Sequence, residues 1–596
     1  MRRRRGDRSP GPARRPARTP GALAGLAVVR PHLRPHLPRM LGLGTLYGAL
    51  AAAAALAGPA LLARALDDLL DGGAATGTLV AYGAGLVALS GVFALFRYLL
   101  RMLGGEVAAG VSYGVAQDYL GHLLTLDRGT VRRFGEGDLL SRGTHDLIPV
   151  WKLFSAAFQM GLNAAFTVLA SLALVAVLSP VLAAVAAGLL VAGVAAQLLV
   201  GRVLRRLAGR VQAAMAAMAG FLEEHLRAAP ALAAHDQGAG AVTAFGGRNR
   251  AYADAAVRYS LRSGLVAPLP SLVAQLAAAV VLLLGGAAAV AGALTVGQLV
   301  QIFVYLRLLS GAAQQVGRAY ERLQQGAAAT ARIREVLDGR PAVADPPHPV
   351  PLPPGAGIGL RGVGVRIDGR WVLRGVDLDV AGGETVAVVG ATGSGKSTLL
   401  DLVARVRDPD EGTVLVAGRD VREVRLAELR RAVAVVPQEP SLFAASVRDN
   451  VALGLTGVPD AEVRAALRAA DLERDVERWP EGWHTEVGEG GARLSGGQRQ
   501  RVAVARALLR RSRVLLVDDA LSQLDTGTSH RVAARLDAMA GEATRLVASG
   551  VPGSAGTRDA DRVVVLHDGR VVEQGTHDEL VARGGRYAEL HDAARG

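Results

Sequence analysis

A chain of 596 residues is too long for one ordinary domain, since a single core rarely grows beyond about 250–300 residues. Hydrophobic residues make up 51% of it, charged residues 20% and aromatics 4%, with a mean hydropathy of +0.28; this excludes a disordered chain and leaves too little charge for a typical soluble enzyme. The net charge of +14 invites nucleic acid, anionic lipid or a basic tail as partner, and the absence of cysteine excludes disulfides, thiolate zinc sites and cysteine nucleophiles.

The charge is concentrated at the start. Residues 1–40 hold eleven arginines against one acid, Asp7, and the remainder is close to balance, so nucleic acid is not a needed partner. Proline and glycine among the arginines of residues 1–20 predict a disordered basic arm on the cytosolic side. The rival, a secretory or twin-arginine signal, fails because the apolar stretch Leu23–Val29 is short and runs into RPHLRPHLPR. That segment fits a short amphipathic helix lying on the membrane surface.

Long uncharged runs follow. Leu41–Ala63 (23 residues) and Gly72–Phe96 (25) are each long enough for one spanning helix. Leu153–Gly201 (49) holds two, turning at Ser179-Pro180, and Ser263–Leu306 (44) holds two more, turning near Gly292–Gly297. The count is six. Arginine-bearing segments 97–152 and 202–262 flank one side, while Asp67, Asp68 and Asp71 occupy a short loop on the other, so both termini are predicted inside a multi-pass cell-membrane protein. Both segments read as helices continuing some tens of ångströms past the bilayer, each interrupted by a short turn. Arg307 falls about eleven residues into the sixth helix; at that depth it either lines a path for an anionic or amphipathic substrate or forms a structural ion pair. The expected domains are the arm 1–20, a membrane domain 21–343, a proline-rich linker 344–357 and an α/β domain 358–596.

In the last of these, ETVAVVG (Glu384–Gly390) reads as a buried strand entering GATGSGKST, a P-loop. Gly390, Thr392, Gly393, Ser394 and Gly395 let consecutive N–H groups curl round a phosphate at a helix amino terminus, ahead of Lys396, Ser397 and Thr398. Lys396, one of only two lysines in the chain, would meet the β- and γ-phosphates, and Ser397 would hold Mg²⁺. VLLVD (Val514–Asp518) is a second buried strand whose terminal Asp518 suits a Walker B aspartate.

With RLSGGQ (Arg493–Gln498) between them, these motifs closely resemble the ATP-binding cassette (ABC) superfamily, and the six preceding helices resemble its exporter half-transporters. The resemblance covers nearly the whole chain after residue 20. It implies an all-α six-helix transmembrane domain followed by an α/β P-loop ATPase domain with a helical subdomain, using ATP and Mg²⁺. Soluble cassette ATPases share the motifs but lack six membrane spans. By the same resemblance Gln438 is the Q-loop residue at the Mg²⁺, Glu486–Gly491 precede the signature, Ser522–Asp525 form a D-loop with Asp525 at a dimer interface, and GDLLSR (Gly137–Arg142) with Asp146 is the first coupling region. The family's head-to-tail pairing implies that Ser495, Gly496, Gly497 and Gln498 act on a partner's nucleotide.

Three departures stand out. The family's catalytic glutamate is Asp519, one methylene shorter, and its switch histidine is Gly550, with no side chain. The aromatic that stacks on adenine is Ile367, with Trp371 as a candidate substitute. Taken singly, Asp519 is compatible with drift in a working homodimer. Together with Gly550 it resembles the degenerate-site subunit of heterodimeric bacterial multidrug or lipid exporters. A regulatory ATP-binding subunit is the alternative, and the cargo is left open among lipids, drugs, peptides and small metabolites.

Overall fold

A computed structural model describes residues 26–72, 75–521 and 524–595. The arm 1–20 and the D-loop residues Ser522 and Gln523 lie outside them. The chain divides into two compact units, Met1–Thr125 with Thr130–Gly339, and Leu126–Gly129 with Arg340–Gly596.

The first unit is helical. Its main elements are α1 (Thr45–Leu70), α2 (Thr76–Leu123), α3 (Phe158–Leu178), α4 (Pro180–Arg227), α5 (Gly238–Val266), α6 (Leu269–Val290) and α7 (Val296–Leu337). Six helical stretches among the described residues are long and apolar enough to cross a membrane. The Ser179-Pro180 turn falls where proline chemistry predicts: Pro180 opens α4 without a donor to lose, and Ser179 Oγ accepts from Leu182 N at 3.4 Å. Thr295 closes the next turn with a full capping box to Gln298 at the start of α7. At 48 residues α2 and α4 are each about 70 Å long, more than twice the roughly 30 Å of bilayer hydrocarbon, so both extend well beyond it. Short helices Arg128–Phe134, Glu136–Thr144 and Leu147–Lys152 interrupt one segment, and Ala229–Ala234 the other.

Two local expectations change. Asp67 and Asp68 are not in a loop but in the last turn of α1, where helix formation continues past Ala63 because Leu69 and Leu70 follow them. There Asp67 accepts from Thr295 Oγ1 and Gly297 N, both at 2.7 Å, fastening the end of α1 to the start of α7. The amphipathic segment is not a separate helix either: Arg30–Leu70 is helical throughout, the prolines at 31, 35 and 38 being absorbed by 3₁₀ and π turns.

Leu56, Val175, Leu182, Val281, Ile302 and Tyr305 form one buried cluster of the unit, with Tyr305 Oη donating to Leu56 O at 3.0 Å. Large apolar side chains elsewhere, such as Val87, Leu169 and Leu283, stay exposed, as lipid-facing helices require.

The second unit carries two sheets. Strands β1 (Ile358–Ile367), β2 (Arg370–Val380), β4 (Glu411–Val416) and β5 (Arg419–Asp420) form an antiparallel sheet in the order β2-β1-β4-β5. The other runs β10-β9-β3-β8-β7-β6, built from β3 (Thr385–Val389), β6 (Val433–Val436), β7 (Val514–Asp518), β8 (Thr544–Ser549), β9 (Arg562–His567) and β10 (Arg570–Gly575). It is parallel except for β10. TVAVV in β3 and VLLV in β7 are buried throughout, which is why they read as continuous apolar runs rather than alternating ones. Residues 344–357 are held on this unit as an ordered strap: Ala344 O accepts from Arg405, Asp345 caps Leu426 N, and Leu352 is buried in the core.

Candidate nucleotide site

The central strand β3 ends at the P-loop, and α8 (Lys396–Val403) starts inside it. Gly393 (φ +84°) and Gly395 (φ +106°) take left-handed conformations that turn successive N–H groups inward. At Gly395 a Cβ would also lie 2.7 Å from Leu373 Cδ2 and 3.0 Å from Val372 O, so β2 packs on the loop only because glycine is there. Lys396 Nζ donates to Gly390 O at 2.7 Å and Ala391 O at 3.1 Å. Burial pushes its pKa down, against the opposing pull of Asp519 and Asp518.

Across the sheet, β7 brings Asp518 to the same place. Ser397 Oγ donates to Asp518 Oδ1 at 2.9 Å although 121 positions separate them. Buried Ser394 Oγ has no hydrogen-bond partner among the described residues. A glycine cradle, an ammonium, an orphaned hydroxyl and a hydroxyl–carboxylate pair fit a polyphosphate with a hard divalent cation. Gln438 lies two residues beyond β6, whose Val436 pairs with Val517, so it leaves the sheet at the same end as Asp518 and is exposed.

Asp519 has φ +46°, a conformation aspartate tolerates better than most side chains. Its N–H donates to Ala548 O at 2.9 Å, tying it to β8. Gly550 follows β8, and its N lies 3.5 Å from Asp519 Oδ1. The two departures therefore sit side by side, at the edge of a cavity of about 380 Å³ lined by Asp519, Ser549 and Val551.

The adenine-side residues separate. Val365 pairs with Leu373, and both are buried on the face toward the P-loop helix. Trp371 pairs with Arg366, whose guanidinium covers its ring at 4.0 Å, on the opposite face. The register shift between Val365 and Arg366, with Val372 as the extra residue of β2, puts Trp371 on the face opposite Leu373, while Ile367, 37% exposed, shares the face of Val365. Trp371, the candidate substitute for the missing aromatic, has its ring engaged by Arg366.

Ser495 caps α9 (Gly496–Leu509) in a capping box: its hydroxyl accepts from Gln498 N, and Gln498 Oε1 accepts from Ser495 N at 2.9 Å. Gln498 Nε2 donates to Asp475 Oδ1 at 2.9 Å, so that side chain is spent on shaping the motif, with Ser495, Gly496 and Gly497 left at the helix start. Asp525 caps α10 (Thr526–Ala540), accepting from Thr528 N at 2.9 Å. That bond holds its carboxyl below the usual range.

Two residues of α9 escaped the sequence reading. Gln500, fully buried, donates to Pro437 O at 3.0 Å, next to Gln438. Arg506 donates to Ser441 O at 3.0 Å and Asn450 O at 2.8 Å, and burial holds its guanidinium below the ordinary value. A polar residue on the otherwise apolar stripe of Gln500, Ala503 and Ala507 was the available signal.

In the helical unit, Gly137–Arg142 lie on Glu136–Thr144, and the charges around them pair with the end of α7. Arg142 bonds Asp138 (3.0 Å), Glu335 (2.7 Å) and Arg332 O (2.8 Å), while Asp146 takes a bidentate bond from Arg332 (2.8 and 2.5 Å). Arg307 is exposed on α7, and no ion pair among the described residues includes it.

Residues 41–313 match the family described as the ABC transporter transmembrane region, and residues 373–522 the ABC transporter family. The chain is an ABC exporter half-transporter in its architecture. It is similar to the ATP-dependent lipid A-core flippase of Syntrophus aciditrophicus, 36% identical over 331 residues, covering 55% of each chain. It is also similar to the ATM1-type heavy metal exporter of Novosphingobium aromaticivorans, 38% identical over 350 residues, or 57% of this chain and 56% of that one. The chain thus spans little more than half the length of these curated relatives in the matched stretches. A solved bacterial Atm1-family ABC exporter with ATP bound superposes with a TM-score of 0.82 at 27% identity, covering 94% of this chain and 99% of that one. The six apolar helices and the α/β domain behind them are those of the ABC exporter build.

Proposed function

We infer that this chain is one half of an ATP-driven exporter, lies in the cell membrane with both termini cytoplasmic, and pairs with a second, different half-transporter. The observation that carries this reading is the adjacency of Asp519 and Gly550 beside an otherwise complete phosphate site. Lys396 and the P-loop N–H groups hold the phosphates of ATP, and Ser397 and Asp518, with Gln438, hold Mg²⁺, which neutralises phosphate charge when bound. Asp519 stands where the family has its catalytic glutamate and is one methylene shorter, and an error of about 1 Å in placing the base costs roughly a hundredfold in rate. Gly550 brings no imidazole to the γ-phosphate. The chain's own Walker residues therefore bind ATP and hydrolyse it weakly.

The signature supports the heterodimeric half of the reading, because Ser495, Gly496, Gly497 and Gln498 keep an intact capping box. They complete a competent site on the partner, whose own catalytic glutamate and histidine are ordinary. The cargo is a small molecule, lipid or peptide, and Arg307, exposed and in no ion pair among the described residues, marks its path for an anionic group.

The test is to purify this chain alone and co-expressed with a half-transporter that carries the catalytic glutamate and switch histidine. ATPase activity of the pair should collapse with Ser495→Arg in this chain and change little with Asp519→Asn. Vigorous ATPase from the chain alone would sink the proposal.

A further inference from the structure

One cavity of the helical unit, about 940 Å³, is not part of any route described above. It lies between the amino-terminal helical segment, the start of α3 and the distal half of α7. Its floor is apolar, with Leu33, Met40, Phe154, Phe158 and Leu323 among its walls, and no acidic side chain lines it among the described residues. Arg30 and Arg34 stand at its rim, one helical turn apart on the face that also carries Leu26, Leu33 and Leu37. Both arginines are exposed, and no ion pair among the described residues includes either. Their neighbours on the same segment are committed: Arg39 pairs with Glu106 at 3.6 Å and His32 with Asp118 at 2.8 Å.

An apolar trough with two guanidinium groups on its lining that make no ion pair among the described residues matches an amphiphile whose head is anionic and whose tails are hydrocarbon. The segment enters the first spanning helix without a break, so the rim lies at the level where headgroups begin. The geometry points to a docking site for an anionic phospholipid of the arm-side leaflet, its phosphate between Arg30 and Arg34 and an acyl chain against Phe154 and Phe158. Held there, the lipid fastens the amino-terminal segment to α3 and α7. This needs only the membrane-spanning build and does not depend on whether Asp519 supports hydrolysis.

Full-length protein in nanodiscs of phosphatidylcholine doped with photoactivatable phosphatidylglycerol tests it. Labelled peptides should map to residues 26–40 and 153–161, and the phosphatidylcholine version of the probe should not label them. The double variant R30Q/R34Q should weaken labelling about thirty-fold, from two surface cations at about a factor of five each. Gly161 lines the cavity with open space around its Cβ position, so Gly161→Leu should fill the trough without a clash and abolish labelling while the protein still folds. Equal labelling by both lipids, or labelling unchanged in R30Q/R34Q and in Gly161→Leu, overturns the proposal. So does a cross-link that maps this face to a second chain instead of to lipid.

Discussion

The main-chain nitrogen of Gly550 lies 3.5 Å from Oδ1 of Asp519, and a Cβ built on Gly550 would lie 3.9 Å from Oδ2 of the same carboxylate. Two of the three positions at which the chain leaves the family pattern are one locus in space. Among the described residues nothing else comes within 4 Å of that Cβ, and Gly550 is not among the left-handed glycines. A side chain is therefore sterically welcome there, and its absence is not forced by the fold.

Restoring both groups should restore hydrolysis. The double variant D519E/G550H is expected to raise the turnover of this chain's own site by about a hundredfold or more, the ordinary worth of a positioned base. Each single change should give much less, because the water needs its base and the γ-phosphate its imidazole together. Phosphate-release assays on the four proteins measure this directly.

Lys396 makes nucleotide binding pH-dependent. Only its charged form attracts phosphate, and burial lowers the pH at which that charge is lost. ATP affinity of the nucleotide-free protein should therefore fall with rising pH, beginning below the range of an ordinary lysine near 10.4. Bound phosphate pulls the pKa back up, so binding near the lowered pKa takes up protons. Calorimetry in buffers of different ionisation enthalpy detects that uptake, and Lys396→Ala should remove both binding and uptake.

The charge network at the end of α7 should behave as a fastening rather than as part of the nucleotide site. Asp146 is nearly buried and Arg332 half-exposed, so Asp146→Ala is expected to cost about 1–2 kcal/mol, below the value for a fully buried pair. Arg142→Ala removes three bonds and the cation–π contact with Phe134 at 5.0 Å, and should cost about 2–3 kcal/mol. The swap D146R/R332D should recover part of the first loss. Melting in detergent reads the cost, and ATP affinity should stay unchanged in every variant.

Gln500 offers a sharper chemical test. Only its amide N–H group is engaged, donating to Pro437 O, while its carbonyl has no partner among the described residues. Gln500→Glu keeps the shape, removes the donor and buries a charge, so it should destabilise more than Gln500→Met, which loses the bond alone at about 1–3 kcal/mol. If the bond positions the segment around Gln438, Gln500→Met should also lower ATP turnover in the transporter pair more than its melting temperature predicts.

Sequence patterns reached far in this chain where the physics is local. Uncharged runs set the spans because a charge inside the bilayer is expensive, and the turns at Ser179-Pro180 and Thr295 follow from capping chemistry within four residues. The phosphate loop is equally local, since its glycines, lysine and serine are consecutive. What escaped is long-range. The face on which Trp371 lies depends on its pairing with Arg366 after a register shift in β1, which no spacing rule predicts. Asp146 meets Arg332 across 186 positions, and Gln500 meets Pro437 across 63, contacts that exist only once the helices are packed. The meeting of Asp519 and Gly550 is of the same kind: two separate deviations in the chain, one neighbourhood in the fold.

The most direct measurement is ATP turnover of the purified chain alone, wild type against D519E/G550H, at saturating Mg²⁺-ATP with nucleotide binding followed in parallel. The account predicts that both proteins bind ATP, and that the wild type turns it over about a hundredfold more slowly than the double variant. A wild type that hydrolyses ATP as fast as the double variant would contradict it.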